Sequence, residues 1–297
     1  MIIVTNPGSN LPTELIGHYG IEVTPQQIMV DSVAHDTRDG VSFAEIDGWV
    51  RTAKESPYVI GTNAAEFAGL FAKISQRDKE IFAVMSSRKI IGSHDAAAIA
   101  SRTVTERHPD VRIAVGDSGL TDLGAGLATL LAAEARDAGK KLSEISALIE
   151  AFRKHAELVT IPKTLEYLVK GGRASTMKAF FADLFGVLPL IAFKDGELGA
   201  AGKTKSKRDA SIAIADFLEK QLGKRRAVWV GVFHGGTPAG AAVALKELRE
   251  RFDVRYALVQ PLSPSIYLHL GPESVGAAVV PLDALPWHPS GTPPVVG

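Results

Sequence analysis

The chain has 297 residues, 33 of them basic and 33 acidic, so it is long enough for two cores and carries no formal net charge. That balance offers no broadly basic face, and no nucleic-acid partner is expected. With no cysteine, disulfides, thiolate zinc sites and a cysteine nucleophile are excluded.

The opening MIIVTNPGSN reads as a strand, Ile2–Thr5, and a turn over Asn6-Pro7-Gly8-Ser9 rather than as a secretory leader. No run approaches ~18 uncharged apolar residues, so no membrane span and a cytoplasmic location are expected. Val23–Val30 reads as extended and Phe43–Lys54 as helical. Three further units then repeat strand, polar turn and helix. Tyr58–Ile60 leads through Gly61-Thr62-Asn63 into a helix over Ala64–Ile74. Ile81–Met85 leads through Ser86-Ser87 into a helix over Ser93–Arg107. Val111–Val115 leads through Gly116-Asp117-Ser118-Gly119 into an Ala- and Leu-rich helix over Asp122–Asp137. This repetition predicts an α/β domain whose open parallel sheet is flanked by helices. A helix over Ser143–Glu157 closes it, with Ser143, Ser146 and Glu144 as a partial capping box.

After residue 157 the pattern changes. Leu158–Ile161 is a strand, and helices flank Gly171-Gly172. Leu190–Phe193 and Leu198–Ala201 form a hairpin over Lys194-Asp195-Gly196-Glu197. Helices at Asp209–Leu222 and Pro238–Arg251 alternate with strands at Ala227–Phe233, Tyr256–Gln260 and Val275–Val280. We expect domains at 1–157 and 158–283, the second a smaller α/β domain with a partly antiparallel sheet. A loose Pro-rich tail is expected over 284–297.

Loops after the first-half strands gather at the carboxyl edge of a parallel sheet, where ligands bind. Thr5-Asn6, Gly61-Thr62-Asn63, the segment from Ser86-Ser87 to Gly92-Ser93, and Asp117-Ser118-Gly119 place hydroxyls and amides beside free helix N–H groups, a setting for an anionic head group. Each could equally be an N-cap. Gly-Asp-Ser-Gly is no nucleophile elbow, and Asp117 and Ser118 read as caps of the Ala-rich helix. The eight histidines show no metal spacing, so no metal site is expected; His269 lies between apolar neighbours before Gly271-Pro272. Residues 177–193, MKAFFADLFGVLPLIAF, form the most apolar stretch. Phe180, Phe181, Leu184, Phe185 and Leu188 make a stripe broader than one packed helix requires, suiting an apolar tunnel for an amphiphile.

The stretch LEYLVKGGRAS at 165–175 matches, residue for residue, the Leu-x-Tyr-Leu-x-Lys-Gly-Gly-Arg signature of the DegV family of bacterial fatty-acid-binding proteins, which this chain resembles. Further matches in order are Ile-Val-Thr with Leu11-Pro12, Gly61-Thr62, Ser86-Ser87 with Gly92, Asp117-Ser118 with Gly124 and Gly126, Lys203, and His269-x-Gly271-Pro272. The resemblance implies two α/β domains with a long-chain fatty acid between them, its carboxylate at the cleft and its tail in the tunnel. A separate fatty acid kinase subunit would phosphorylate that carboxylate, so the chain itself is a carrier with no catalytic residue and no cofactor beyond the bound lipid. A transient contact with a membrane surface goes with that role. Thr62 and Ser93 would hold the head group from the first domain and His269 from the second, with Asn6, Ser118 and Lys205 in the same ligand set. Arg173 either braces the cleft or docks the kinase. The chain departs from the family where Asn6 replaces Asp, Ile91 replaces a serine and Lys205 replaces Arg. Two other readings stay open: a hydrolase using Ser93 or Ser118 with His269, and a carrier of another amphiphile or anion.

Overall fold

Strand β6 (Glu80–Met85) is buried almost throughout, and its side chains divide between two different apolar clusters. The computed structural model describes residues 1–37, 40–170, 187–204 and 207–294. Within it, Ile81, Ala83 and Met85 pack under α3 (Ala64–Ile74) and α4 (Ser93–Arg107). Phe82 and Val84 face the opposite way, towards α5 (Leu123–Asp137) and α6 (Leu142–His155). Covering both faces is what a parallel sheet requires, and it explains the unbroken apolar run. The sheet is parallel in the order β2 (Glu22–Val23), β1 (Ile2–Thr5), β6, β7 (Arg112–Asp117).

The second sheet has six strands and mixed direction. Its order is β10 (Glu197–Thr204), β9 (Leu188–Lys194), β8 (Glu157–Ile161), β13 (Val275–Pro281), β11 (Ala227–His234) and β12 (Asp253–Pro261), with only β11 and β12 parallel. The predicted hairpin is present, turning at Asp195 and Gly196, both with positive φ, as a two-residue primed turn demands. Val228, Val230 and Val232 of β11 face α8 (Lys207–Leu222) and α9 (Pro238–Arg251), while Trp229 and Phe233 face α5.

Helix α5 thus lies between the two sheets, which is why it is apolar all round and rich in Ala and Gly. Gly126 lets it pass under the preceding turn: a methyl there would lie less than 3.0 Å from the Ser9 carbonyl oxygen. The expected boundary near 157 falls between the sheets, whereas the apolar cluster around α5 draws on both halves, from Ile3 to Leu285.

Five local expectations need correction. The segment read as one extended piece, 23–30, is broken at Thr24-Pro25 into β2 and β3 (Gln26–Val30), which belong to different sheets. Strand β5 (Tyr58–Gly61) does not join the parallel sheet. It pairs antiparallel with β3, and β3 with β4 (Val33–Asp36), as a separate three-stranded sheet. Tyr58 and Ile60 are 54% and 40% exposed, the alternation of a sheet with one wet face. Helix α5 is capped by Asp122 rather than by Asp117 or Ser118. Helix α6 starts one residue before the expected box, with the Glu144 carboxylate accepting from the Lys141 N–H at 2.9 Å. The Pro-rich segment, as far as Pro294, is laid on the surface: Leu285 is buried and the Tyr256 hydroxyl donates to the Pro294 carbonyl at 3.2 Å.

Candidate functional site

A cleft of about 250 Å³ opens between the two halves. One wall comes from the turn after β1, the loop after β6 and strands β3 and β5, through Asn6, Gly8, Gln26, Tyr58, Ser86, Ile91 and Thr121 among others. The other wall is α10 (Pro264–Leu270), through Ser265, Ile266 and His269.

The first wall is rigid for a local reason. The Ser86 N–H and hydroxyl both donate to Asn6 Oδ1, at 3.0 and 3.2 Å, so the neighbouring loop fixes the asparagine amide. Ser87 does a different job, its hydroxyl donating to the Gly196 carbonyl at 2.6 Å and docking the β9–β10 hairpin on this loop. Behind the cleft, the wholly buried Asp122 ties three segments together. Its carboxylate accepts from Leu123 N–H (2.8 Å), from Asn10 Nδ2 (3.1 Å) and from the Ser263 N–H (3.3 Å) that precedes α10. Burial pushes its carboxyl up to about 6, against the pull of those bonds.

The signature at 165–170 explains how the halves are held. Helix α7 (Glu166–Lys170) lays Tyr167 and Lys170 on α2 (Phe43–Thr52). The Tyr167 hydroxyl donates to Asp47 Oδ1 at 2.6 Å, and Lys170 Nζ donates to the Val50 carbonyl at 2.8 Å. Tyr267 of α10 reaches the same Asp47 at 3.0 Å and stacks on Phe43, with centroids 3.8 Å apart. The Tyr167 ring in turn sits on Gly271, where a methyl would meet ring carbons at 2.5–2.9 Å. Two motifs far apart in sequence, Leu-Glu-Tyr and His-Leu-Gly-Pro, are therefore one interlocked unit beside the cleft.

Of the residues expected to hold a head group, Asn6 and half-buried His269 line the cleft. Thr62 lies behind it with its hydroxyl donating to the Pro25 carbonyl at 2.6 Å. Ser93 is buried beside Gly61, its hydroxyl without a hydrogen-bond partner. The Ser118 hydroxyl is bonded within its own turn, donating to the Leu120 carbonyl at 3.1 Å. Asn63, from the same loop as Thr62, caps α3, accepting from Ala65 and Glu66 N–H groups. Leu188 lines a separate cavity of about 240 Å³ with Ile161, Ala210, Pro238 and Val275. Arg173, Lys205, Phe180, Phe181, Leu184 and Phe185 lie outside the described residues. Sequence reasoning missed Gln26, Thr121 and Ser265, which carry no motif, and treated Asp122 only as a helix start. Among the described residues, no three His, Cys, Asp or Glu side chains gather as metal ligands, and no helix is long and apolar enough to cross a membrane.

A wider groove of about 700 Å³ runs past the start of β8, lined by Arg153, Glu157, Phe193, Lys194 and Phe217 among others. Burial raises the Glu157 carboxyl from 4.5 to about 7. Because the folded value lies above the unfolded one, this group favours the fold fully below pH 4.5, and that contribution is lost as pH rises through 7. Glu157→Gln is therefore expected to flatten stability across that window. After discounting for the solvent that still reaches the group, it should stabilise the protein by about 1–2 kcal/mol at pH 8. Denaturant midpoints of both proteins at pH 5 and pH 8 check this; a parallel fall in both would refute the assignment.

A profile described as an uncharacterised protein of the DegV family matches residues 1–282. A DegV domain-containing protein of Clostridium perfringens is 26% identical over 276 residues, which cover 93% of this chain and 97% of that protein. The solved structure of a DegV family protein from Thermus thermophilus, described for its fatty acid binding, superposes with a TM-score of 0.86 at 26% identity, covering 95% of this chain and 99% of that one. A DegV family protein from Ruminococcus gnavus, refined with vaccenic acid, gives a TM-score of 0.84 over 93% of this chain and 98% of its own. At 16% identity that likeness speaks for the fold alone.

Proposed function

Because the chain belongs to the DegV family, we propose that it is a carrier that holds a fatty acid by its carboxyl group in the cleft between the halves. The observation that carries this reading is the cleft itself, a small chamber of mixed lining with Asn6 and Ser86 on one wall, Ser265 and His269 on the other, and Ile90, Ile91 and Ile266 among them. The fatty acid binding described for the Thermus thermophilus protein, at 26% identity over nearly the whole chain, supports the same ligand class. Ser93 and Thr62 stand one layer back, Thr62 fixing the Pro25 carbonyl beside Gln26. The acyl tail runs into the second half along the stripe of Phe180, Phe181, Leu184, Phe185 and Leu188, of which only Leu188 belongs to the described residues, where it lines a cavity of its own. The bound acid is then offered to a kinase subunit for acyl-phosphate formation in the cytoplasm, with Lys205 in the head-group ligand set, Arg173 bracing the cleft or docking the kinase, and the lipid exchanged at a membrane surface. No acid–base or nucleophilic role falls to the chain itself in this reading.

Native mass spectrometry of the purified protein should find co-purifying acyl chains. Removing one hydrogen bond to the head group should weaken binding by roughly ten- to a hundredfold, so Ser265→Ala and His269→Ala, both on the cleft wall, should each show that loss in a fluorescent fatty-acid titration. Wild-type affinity in both variants would sink the head-group assignment. Ester cleavage abolished by Ser93→Ala would replace the carrier with a hydrolase.

A further inference from the structure

Asp122 is wholly buried, yet its backbone sits at φ 48° and ψ −142°, a conformation that is costly for any residue but glycine. Such strain persists only where the surroundings over-determine it, and the side chain supplies the reason. Its carboxylate accepts from three N–H groups in three segments. They belong to Asn10, which closes the turn carrying Asn6 and Gly8, to Leu123 at the start of α5, and to Ser263 just ahead of α10. Asn10 strengthens the same junction, since its Nδ2 also donates to the Pro261 carbonyl at 2.8 Å. The two walls of the cleft are thus tied to each other: Asn6, Gly8 and Thr121 stand on the first, Ser265 and His269 on the second. Helix α10 has only seven residues, too few to hold its own place, so its position depends on what fixes its ends. Gly271 under Tyr167 fixes one end, and Asp122 through Ser263 fixes the other.

We propose that Asp122 is a positioning residue for the head-group cleft: it sets the spacing between the Asn6 turn and α10, so that Ser265 and His269 face the head group of the bound acid across the cavity. The proposal rests on the fatty-acid reading above and adds what aligns its two walls. Asparagine cannot take over this task. All three bonds come from N–H groups, and the Asn10 amide is fixed as a donor because its Nδ2 meets two acceptors. Either orientation of an amide at position 122 therefore sets its NH2 against at least one of these N–H groups. A glycine would accept the backbone conformation without strain, so what the strain retains is the carboxylate.

The test is a double-mutant cycle in a fluorescent fatty-acid titration, comparing wild type, Asp122→Asn, His269→Ala and the double variant. Asp122→Asn alone should weaken binding at least about tenfold. With α10 already displaced, removing the His269 ring should then cost less than about threefold, against the roughly ten- to hundredfold loss expected in the wild type. A merely structural Asp122 would leave the two losses multiplying. Amide hydrogen exchange gives a reading without ligand. The Ile266, Tyr267 and Gly271 amides, all hydrogen-bonded within α10, should exchange at least about tenfold faster in Asp122→Asn, while those of β6 and β7 keep their wild-type rates. Ser263→Pro is the second variant, because Ser263 already has φ −61°, the proline value, and the change removes the donor without backbone strain. It should reproduce the loss, and it decides the matter should Asp122→Asn fail to fold. Multiplying losses, wild-type exchange in α10, or full affinity in either Asp122→Asn or Ser263→Pro overturns the proposal. If the wild-type protein does not bind the acid at all, it is the fatty-acid reading that fails, while exchange in α10 still reports on the Asp122 link.

Discussion

Gly271→Ala is expected to cost about 2–5 kcal/mol of stability and to abolish tight ligand binding. Two separate causes act at this position. Gly271 has φ 70° and ψ −171°, a region that side chains other than glycine scarcely enter. A methyl group would also stand 2.5–2.9 Å from carbons of the Tyr167 ring, which is itself buried and held by Asp47. The ring has no free space into which to retreat, so relief must come from moving the end of α10. His269 is two residues away, so the cleft wall shifts with it. Gly69→Ala is the control, since it lies within α3 with nothing within 4 Å of the new methyl and should be neutral or slightly stabilising. Guanidinium unfolding of the three proteins, with fatty-acid titration of each, makes the comparison. Gly271→Ala within 1 kcal/mol of wild type would mean that the Tyr167 contact is not as described.

Asp47→Ala should lose about 2–4 kcal/mol, because two tyrosine hydroxyls from the second half, Tyr167 at 2.6 Å and Tyr267 at 3.0 Å, share this one carboxylate. Burial and the nearby carboxylate together hold both phenols well above their usual range, so each remains a donor throughout the accessible pH range. Truncation leaves both donors stranded at a partly buried contact. Asp47→Asn keeps one acceptor oxygen and should lose roughly half as much. Lys170 still reaches the Val50 carbonyl in both variants, so the halves stay associated while α10 loosens. Ligand affinity should therefore fall in the same order as stability, alanine below asparagine below wild type. Equal stability in all three would show that the tyrosines do not clasp the halves through Asp47.

What the sequence determined by itself was local and periodic. The apolar runs at 81–85 and 227–233 marked strands buried on both faces, Asp195-Gly196 marked a hairpin turn, and 165–173 and 269–272 carried the family signature, with His269 among its positions. Those signals lie within a few residues of one another along the chain, where spacing and turn chemistry act directly. Which elements meet was decided only by tertiary packing. A strand at 58–61 was legible, but its partner in a small antiparallel sheet was not, since pairing joins segments about 30 residues apart without a local mark. Nothing in Tyr167 or Gly271 announced that each requires the other. Gln26 shows the limit most clearly: a glutamine in a strand has the same signature whether it faces water or a ligand. Only the tertiary packing around β3 buries it, and burial is what turns an ordinary amide into a group that must find a partner.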